Sequence, residues 1–213
     1  MSFADCGYRV LFTKQMKTSF DFIVAKLLKA EGGFVDHPSD PGGVTNRGIT
    51  MASWAAYLGR ETSRDEMKEL SKEQAIKFYK SEYWDRRRVE EFEPELRHIW
   101  FDMSVNHGSK NAGKILHQSV NTKQGSDALD VDGLIGPNTM GRIGILELRD
   151  ILVERFMFFA NNAFRGSRYA ERTSSNDFIR GWSFHRIFSF LTEPLEERIA
   201  ELEAENRELR GQL

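Results

Sequence analysis

The stretch FDFIVAKLLKAEGGFVDHPSDPGGVTNRGIT, residues 20–50, decides the fold. Its first apolar positions are Phe20, Ile23, Val24, Leu27 and Leu28, and their spacing of three and four predicts an amphipathic helix. The next position of that stripe is Glu31, and Gly32 and Gly33 then stop the helix. A carboxylate there lies on the apolar face and at the negative end of the helix dipole, and both disfavour its charged form. A general acid requires that environment to hold its proton near neutrality. The alternative is an end-of-helix Glu that swings into solvent, and the helix alone leaves both open.

Residues 34–50 are dense in Gly, Pro, Asp and Asn, which predicts tight turns and a small β-hairpin. Asp40 falls in a turn nine residues after Glu31, with Thr45 five residues further on. Two carboxylates, one in an apolar and one in a polar setting, suit glycoside hydrolysis. One protonates the leaving oxygen while the other supports positive charge or a water. Asp40 also has a plainer reading, a turn residue capping its own backbone before Pro41.

The run EGGFVDHPSDPGGVTNRGIT at 31–50 resembles the signature of glycoside hydrolase family 108, phage and bacterial N-acetylmuramidases with a lysozyme-like fold. The resemblance implies that Glu31 is the catalytic acid. It implies Asp40 as the assisting carboxylate and Thr45 as the hydroxyl that positions water. A further family segment, Asp-x-x-x-Asn-x-Gly, is matched at Asp102 to Gly108 and makes Asn106 a candidate substrate ligand. A C-terminal helix cap is the other reading of Asn106. Residues 112–190 are similar to the peptidoglycan-binding segment of the family, through VDGLIGPNT at 131–139 and FIRGW at 178–182.

The rest of the chain reads as mostly helical. Thr50 is a cap for a helix at Met51–Leu58, and Ser63 with Glu66 and Ser71 with Gln74 form two capping-box patterns. After the second, Ala75, Phe78, Tyr79 and Tyr83 recur at helical spacing. These aromatics suit a core, but Tyr83 and Trp84 are also candidates for stacking on a sugar. Leu96, Ile99, Trp100 and Met103 mark one face of another helix, and Gly136-Pro137 opens a new one.

Composition bounds the class. The chain has 213 residues, 40% hydrophobic, with sixteen Phe and four Trp, enough for a sizeable core. A single cysteine, Cys6, excludes a disulfide framework. The longest apolar run, Phe156 to Ala160, is five residues, so no membrane insertion is expected. Thirty basic residues face 32 acidic ones. The last 22 hold seven Glu and three Arg, leaving the body two basic residues in excess. That surplus makes no case for nucleic acid, which demands clustered basic residues.

Other chemistry finds no motif. DALDVDG lacks calcium-loop ligands, with Ala128 in the first place and Thr139 in the last. The five His residues contain no His-Glu-x-x-His, and neither Gly-x-Ser-x-Gly nor a phosphate loop occurs. No cofactor and no metal are expected.

The tail carries its own pattern. Leu195, Ile199, Leu202, Asn206, Leu209 and Leu213 form a heptad seam with Asn at one a position. Arg198 and Glu205 at g oppose Glu203 and Arg210 at e, so residues 195–213 suit a parallel homodimer. A single helix lying back on the body is the alternative.

The reading is a mainly α, lysozyme-like fold with a small β-hairpin at the cleft and a C-terminal heptad helix. Residues 1–15 form an extension, 16–108 the catalytic part, 109–191 a helical peptidoglycan-binding part packed on it, and 192–213 the heptad helix. The expected partner is the glycan strand of peptidoglycan, cut between N-acetylmuramic acid and N-acetylglucosamine. Two other functions compete with this one, a lytic transglycosylase and a non-catalytic wall-binding protein. Residues 1–15 show no signal peptide, which predicts synthesis into the cytoplasm and action on the wall after release or delivery.

Overall fold

A computed structural model describes residues 18–30, 32–36 and 43–164. Glu31, Asp40, residues 1–15, the FIRGW motif and the heptad tail lie outside the described residues.

The apolar stripe predicted from residue 20 forms helix α1, Phe20–Ala30, and buries Ile23, Val24 and Leu27. Strands β1 (Thr45–Asn46) and β2 (Ile49–Thr50) make an antiparallel hairpin with Asn46 opposite Ile49. Its two-residue turn is Arg47-Gly48, both at positive φ, the hallmark of the turn that matches strand twist.

Local capping chemistry then punctuates the chain as its sequence predicts. Helix α2 (Met51–Leu58) is capped by the Thr50 side chain, which accepts from Ser53 N–H. Helices α3 (Arg64–Lys68) and α4 (Lys72–Tyr79) each begin with a complete capping box, Ser63 with Glu66 and Ser71 with Gln74. Helix α4 runs on into a π-helical segment, Lys80–Asp85, and a short 3-10 turn follows at Val89–Glu91.

Helix α5 (Pro94–His107) is the hub. Beyond the predicted face of Leu96, Ile99, Trp100 and Met103, it also buries Phe101, Asp102 and Ser104, so it is enclosed on nearly every side. It packs mainly on α6, Ser109–Gln124. Trp100 stacks on Phe92 with centroids 5.0 Å apart, and its Nε1 donates to the Arg87 carbonyl at 3.0 Å.

The loop after α6 is held by side chains of that helix. Asn121 donates to Leu129 O at 2.8 Å and accepts from Leu129 N–H at 2.9 Å. His117 Nε2 lies 3.1 Å from the Thr139 hydroxyl. Gly133, at φ +86°, approaches so closely that a Cβ would stand 2.2 Å from Lys110 O, and one on Gly113 would meet Gly133 O at 2.3 Å. Pro137 then starts helix α7 (Pro137–Met140), as the Gly-Pro pair predicts.

The chain divides into two compact units, one ending at Leu148 and one beginning at Arg149. The first therefore runs on through residue 109. The described part of the second lies within helix α8, which spans Leu148–Phe164 and so starts one residue before the division. No helix of the described residues is long and apolar enough to cross a membrane.

Candidate active site

The hairpin is the best-anchored part of the region singled out by sequence. Thr45 exchanges both backbone hydrogen bonds with Val35, at 2.9 and 2.8 Å, and pairs with Thr50 on its other side. The chain between Val35 and Thr45, which carries Asp40 in sequence, is thus closed at its base. The half-buried Thr45 hydroxyl makes no hydrogen bond with a described residue. Helix α1 ends at Ala30, one position before Glu31. On the far side of Glu31, Lys68 lies over the Phe34 ring at 5.7 Å and Asp36 pairs with Arg64 at 2.7 Å. Both flanks of the expected acid are therefore tied down.

Three side chains sew the hairpin to the helices. Asn46, 5% exposed, donates through Nδ2 to Met67 O at 2.6 Å and to Lys68 O at 3.3 Å. Arg47 Nε donates to Leu70 O at 3.1 Å, and the Tyr79 hydroxyl donates to Arg47 O at 2.9 Å. These bonds hold Arg47 in a left-handed conformation, φ 52°, that a non-glycine residue adopts at a cost. Sequence reasoning did not single out Asn46 or Arg47, because their partners lie more than twenty residues downstream.

The other candidates fare differently. Asn106 is half-buried near the end of α5, and its Nδ2 donates to Asp102 O at 2.8 Å, which leaves its side-chain oxygen for another partner. Trp84 is corrected: it is 1% exposed, with ring centroids 5.3 Å from Phe20 and 5.7 Å from Phe101. Its Nε1 donates to Glu90 at 3.1 Å. A ring so enclosed offers no face to a sugar. Its neighbour Tyr83 lines a pocket of about 270 Å³ with Tyr57 and Phe78. Burial pushes the Tyr83 phenol above its ordinary pKa, so the hydroxyl keeps its proton. Neither Thr45 nor Asn106 lines that pocket. Among the described residues no group of His, Cys, Asp and Glu is placed to hold a metal ion.

This is a mainly helical architecture with one small antiparallel sheet beside the candidate catalytic segment, consistent with a lysozyme-like fold. Residues 24–108 match the family model described as glycosyl hydrolase 108. It is similar to the solved structure of Brucella abortus SagA, with a TM-score of 0.67 and 29% identity. That likeness covers 83% of this chain and 94% of the other. No curated protein matches the chain. The family match supports glycoside hydrolase activity, with a glycan as the class of substrate.

Proposed function

We propose that the protein is an N-acetylmuramidase that hydrolyses the β-1,4 bond between N-acetylmuramic acid and N-acetylglucosamine in peptidoglycan. One observation carries this reading: the glycosyl hydrolase 108 match at 24–108 spans Glu31, Asp40 and Thr45 together. The anchored flanks of Glu31 and the closed base of the Val35–Thr45 loop add support, because a general acid must be held where the leaving oxygen will be.

In this reading Glu31 gives its proton to the glycosidic oxygen as the C–O bond breaks and positive charge builds on the sugar ring. Asp40 supports that charge or the attacking water, and Thr45 holds the water through its hydroxyl. Water adds to the ring carbon and gives up a proton, leaving a reducing muramic-acid end.

The test is digestion of purified peptidoglycan by the unmutated protein and by Glu31→Gln, with mass spectrometry of the fragments. Reducing muramic-acid ends are expected from the unmutated protein, falling by about 10²–10⁴-fold in the variant. Anhydro-sugar ends would instead establish a transglycosylase. Cleavage by neither protein, on native or de-N-acetylated wall, would refute the enzyme reading in favour of a wall-binding one.

A further inference from the structure

A second feature lies between α2 and the π-helical segment, and its lining residue Ser53 bonds to Thr50 at the end of the hairpin. Three consecutive arginines leave that segment, and the structure gives each a different fate. Arg86 pairs with Glu82 one turn back, and Arg88 pairs with Glu91. Arg87, between them, forms no ion pair or side-chain hydrogen bond with a described residue, and its Nε is buried without a hydrogen-bond partner. Its backbone is fixed, since its carbonyl accepts from Trp100.

The guanidinium lines the pocket of about 270 Å³ together with Tyr57, Phe78, Tyr83, Glu82 and Arg86. With Glu82 engaged by Arg86, Arg87 is the surplus charge of the pocket. Burial and the neighbouring Arg86 lower its pKa, so the cation sits where an incoming anion would relieve it. The walls are aromatic: Tyr57 meets Phe78 edge-on at 5.3 Å, and Phe78 lies 5.9 Å from Tyr83. Neither tyrosine hydroxyl is hydrogen-bonded to a described residue.

We infer that this pocket binds a carboxylate-bearing sugar, with the carboxylate on Arg87 and the C–H face of the ring against Tyr57 and Tyr83. A guanidinium fork matches a carboxylate, aromatic faces match the apolar side of a pyranose, and the volume suits one sugar residue. The choice of sugar rests on the proposed muramidase reading. Of the two sugars in that substrate, only N-acetylmuramic acid carries a carboxyl, on its lactyl ether. The pocket therefore takes a muramic acid residue whose lactyl group bears no peptide.

The experiment is an NMR titration of the full chain with N-acetylmuramic acid, its methyl ester, N-acetylglucosamine and N-acetylmuramyl dipeptide. The Ser53, Ala56 and Tyr83 amides report on the pocket. N-acetylmuramic acid is expected to shift all three and to bind at least about tenfold more tightly than the other probes. Arg87→Gln should abolish that preference. Equal binding of the methyl ester or the dipeptide, or shifts that avoid these amides, would overturn the inference, and neither result depends on how a variant folds. Cleavage of peptidoglycan without pocket shifts would sink the inference and leave the muramidase reading intact. Pocket shifts in a protein that cleaves nothing would do the reverse.

Discussion

Replacing Asn46 by Ala tests whether the hairpin is held from below. The amide of Asn46 is the link between β1 and the last turn of α3, whose carbonyls have no partners further along the helix. Met67 O otherwise receives the Glu69 N–H at the helix C-cap and a 3.4 Å contact from Leu70 N–H. The substitution removes two hydrogen bonds, each contributing about 1 kcal/mol net, and leaves a buried acceptor poorly satisfied at a further ~1 kcal/mol. The expected loss is about 2–3 kcal/mol, read as a lower urea midpoint with an unchanged slope. Hydrogen exchange adds a local readout. The Val35 and Thr45 amides bond to each other's carbonyls, so their protection should fall more than that of the Ile99 and Met103 amides in α5. Asn46→Asp keeps the shape but sets a carboxylate against two carbonyls, and should be at least as damaging as Ala near neutral pH. A loss under about 0.5 kcal/mol with Thr45 protection intact would refute the anchoring argument.

Gly133→Ala should cost about 2–4 kcal/mol in chemical denaturation, combining a left-handed backbone with a Cβ 2.2 Å from Lys110 O. Gly141→Ala is its control: the nearest atom is 3.4 Å away and φ is −69°, so the change should stay within about 1 kcal/mol. Glu66 gives a pH prediction. Bonds from Arg60, the Ser63 N–H and the Thr62 hydroxyl lower its pKa from 4.5 to about 2. Because the folded value is the lower one, the stabilisation is present above about pH 4.5 and fades as pH falls towards about 2. Glu66→Gln should flatten the urea midpoint across that window, and an unchanged slope against pH would count against the pairing.

What the sequence made legible was whatever is decided within a few residues. The stripe from Phe20 to Leu28 specifies α1 because helical periodicity needs nothing distant to be read. Thr50, Ser63 and Ser71 announce helix starts because each cap bonds a backbone N–H three positions on. Glycosyl hydrolase character was legible in the segment after α1, and residues 24–108 match that family. The hairpin was visible as composition, but its anchor was not, since Asn46 finds its partners 21 and 22 residues later. Helix α5 looked one-sided because Asp102 and Ser104 are polar, yet both are buried in the hub. Only packing on several sides reveals that, and packing has no local period.

The stretch from Tyr83 to Arg88 shows most clearly where local reading stops. In sequence, two adjacent aromatics suggest one environment, and three arginines in a row suggest a solvated charged run. The wider π turn at Lys80–Asp85 alters the helical register there, and the neighbours part. Trp84 goes into the core against Phe20 and Phe101, while Tyr83 joins Tyr57 at the pocket wall. Glu82 is one turn from Arg86 and neutralises it, and Glu91 does the same for Arg88. Only Arg87 is left facing the pocket without a paired anion among the described residues. A π turn sacrifices hydrogen-bond geometry, and such turns are frequent at functional sites. Here the segment links the hairpin to the pocket: α4, from which it extends, carries the Tyr79 that braces the hairpin, and its own Tyr83 helps to form the pocket. A substitution that restored an unbroken α-helix would have to move Trp84 or Tyr83, and so would disturb the core or the pocket.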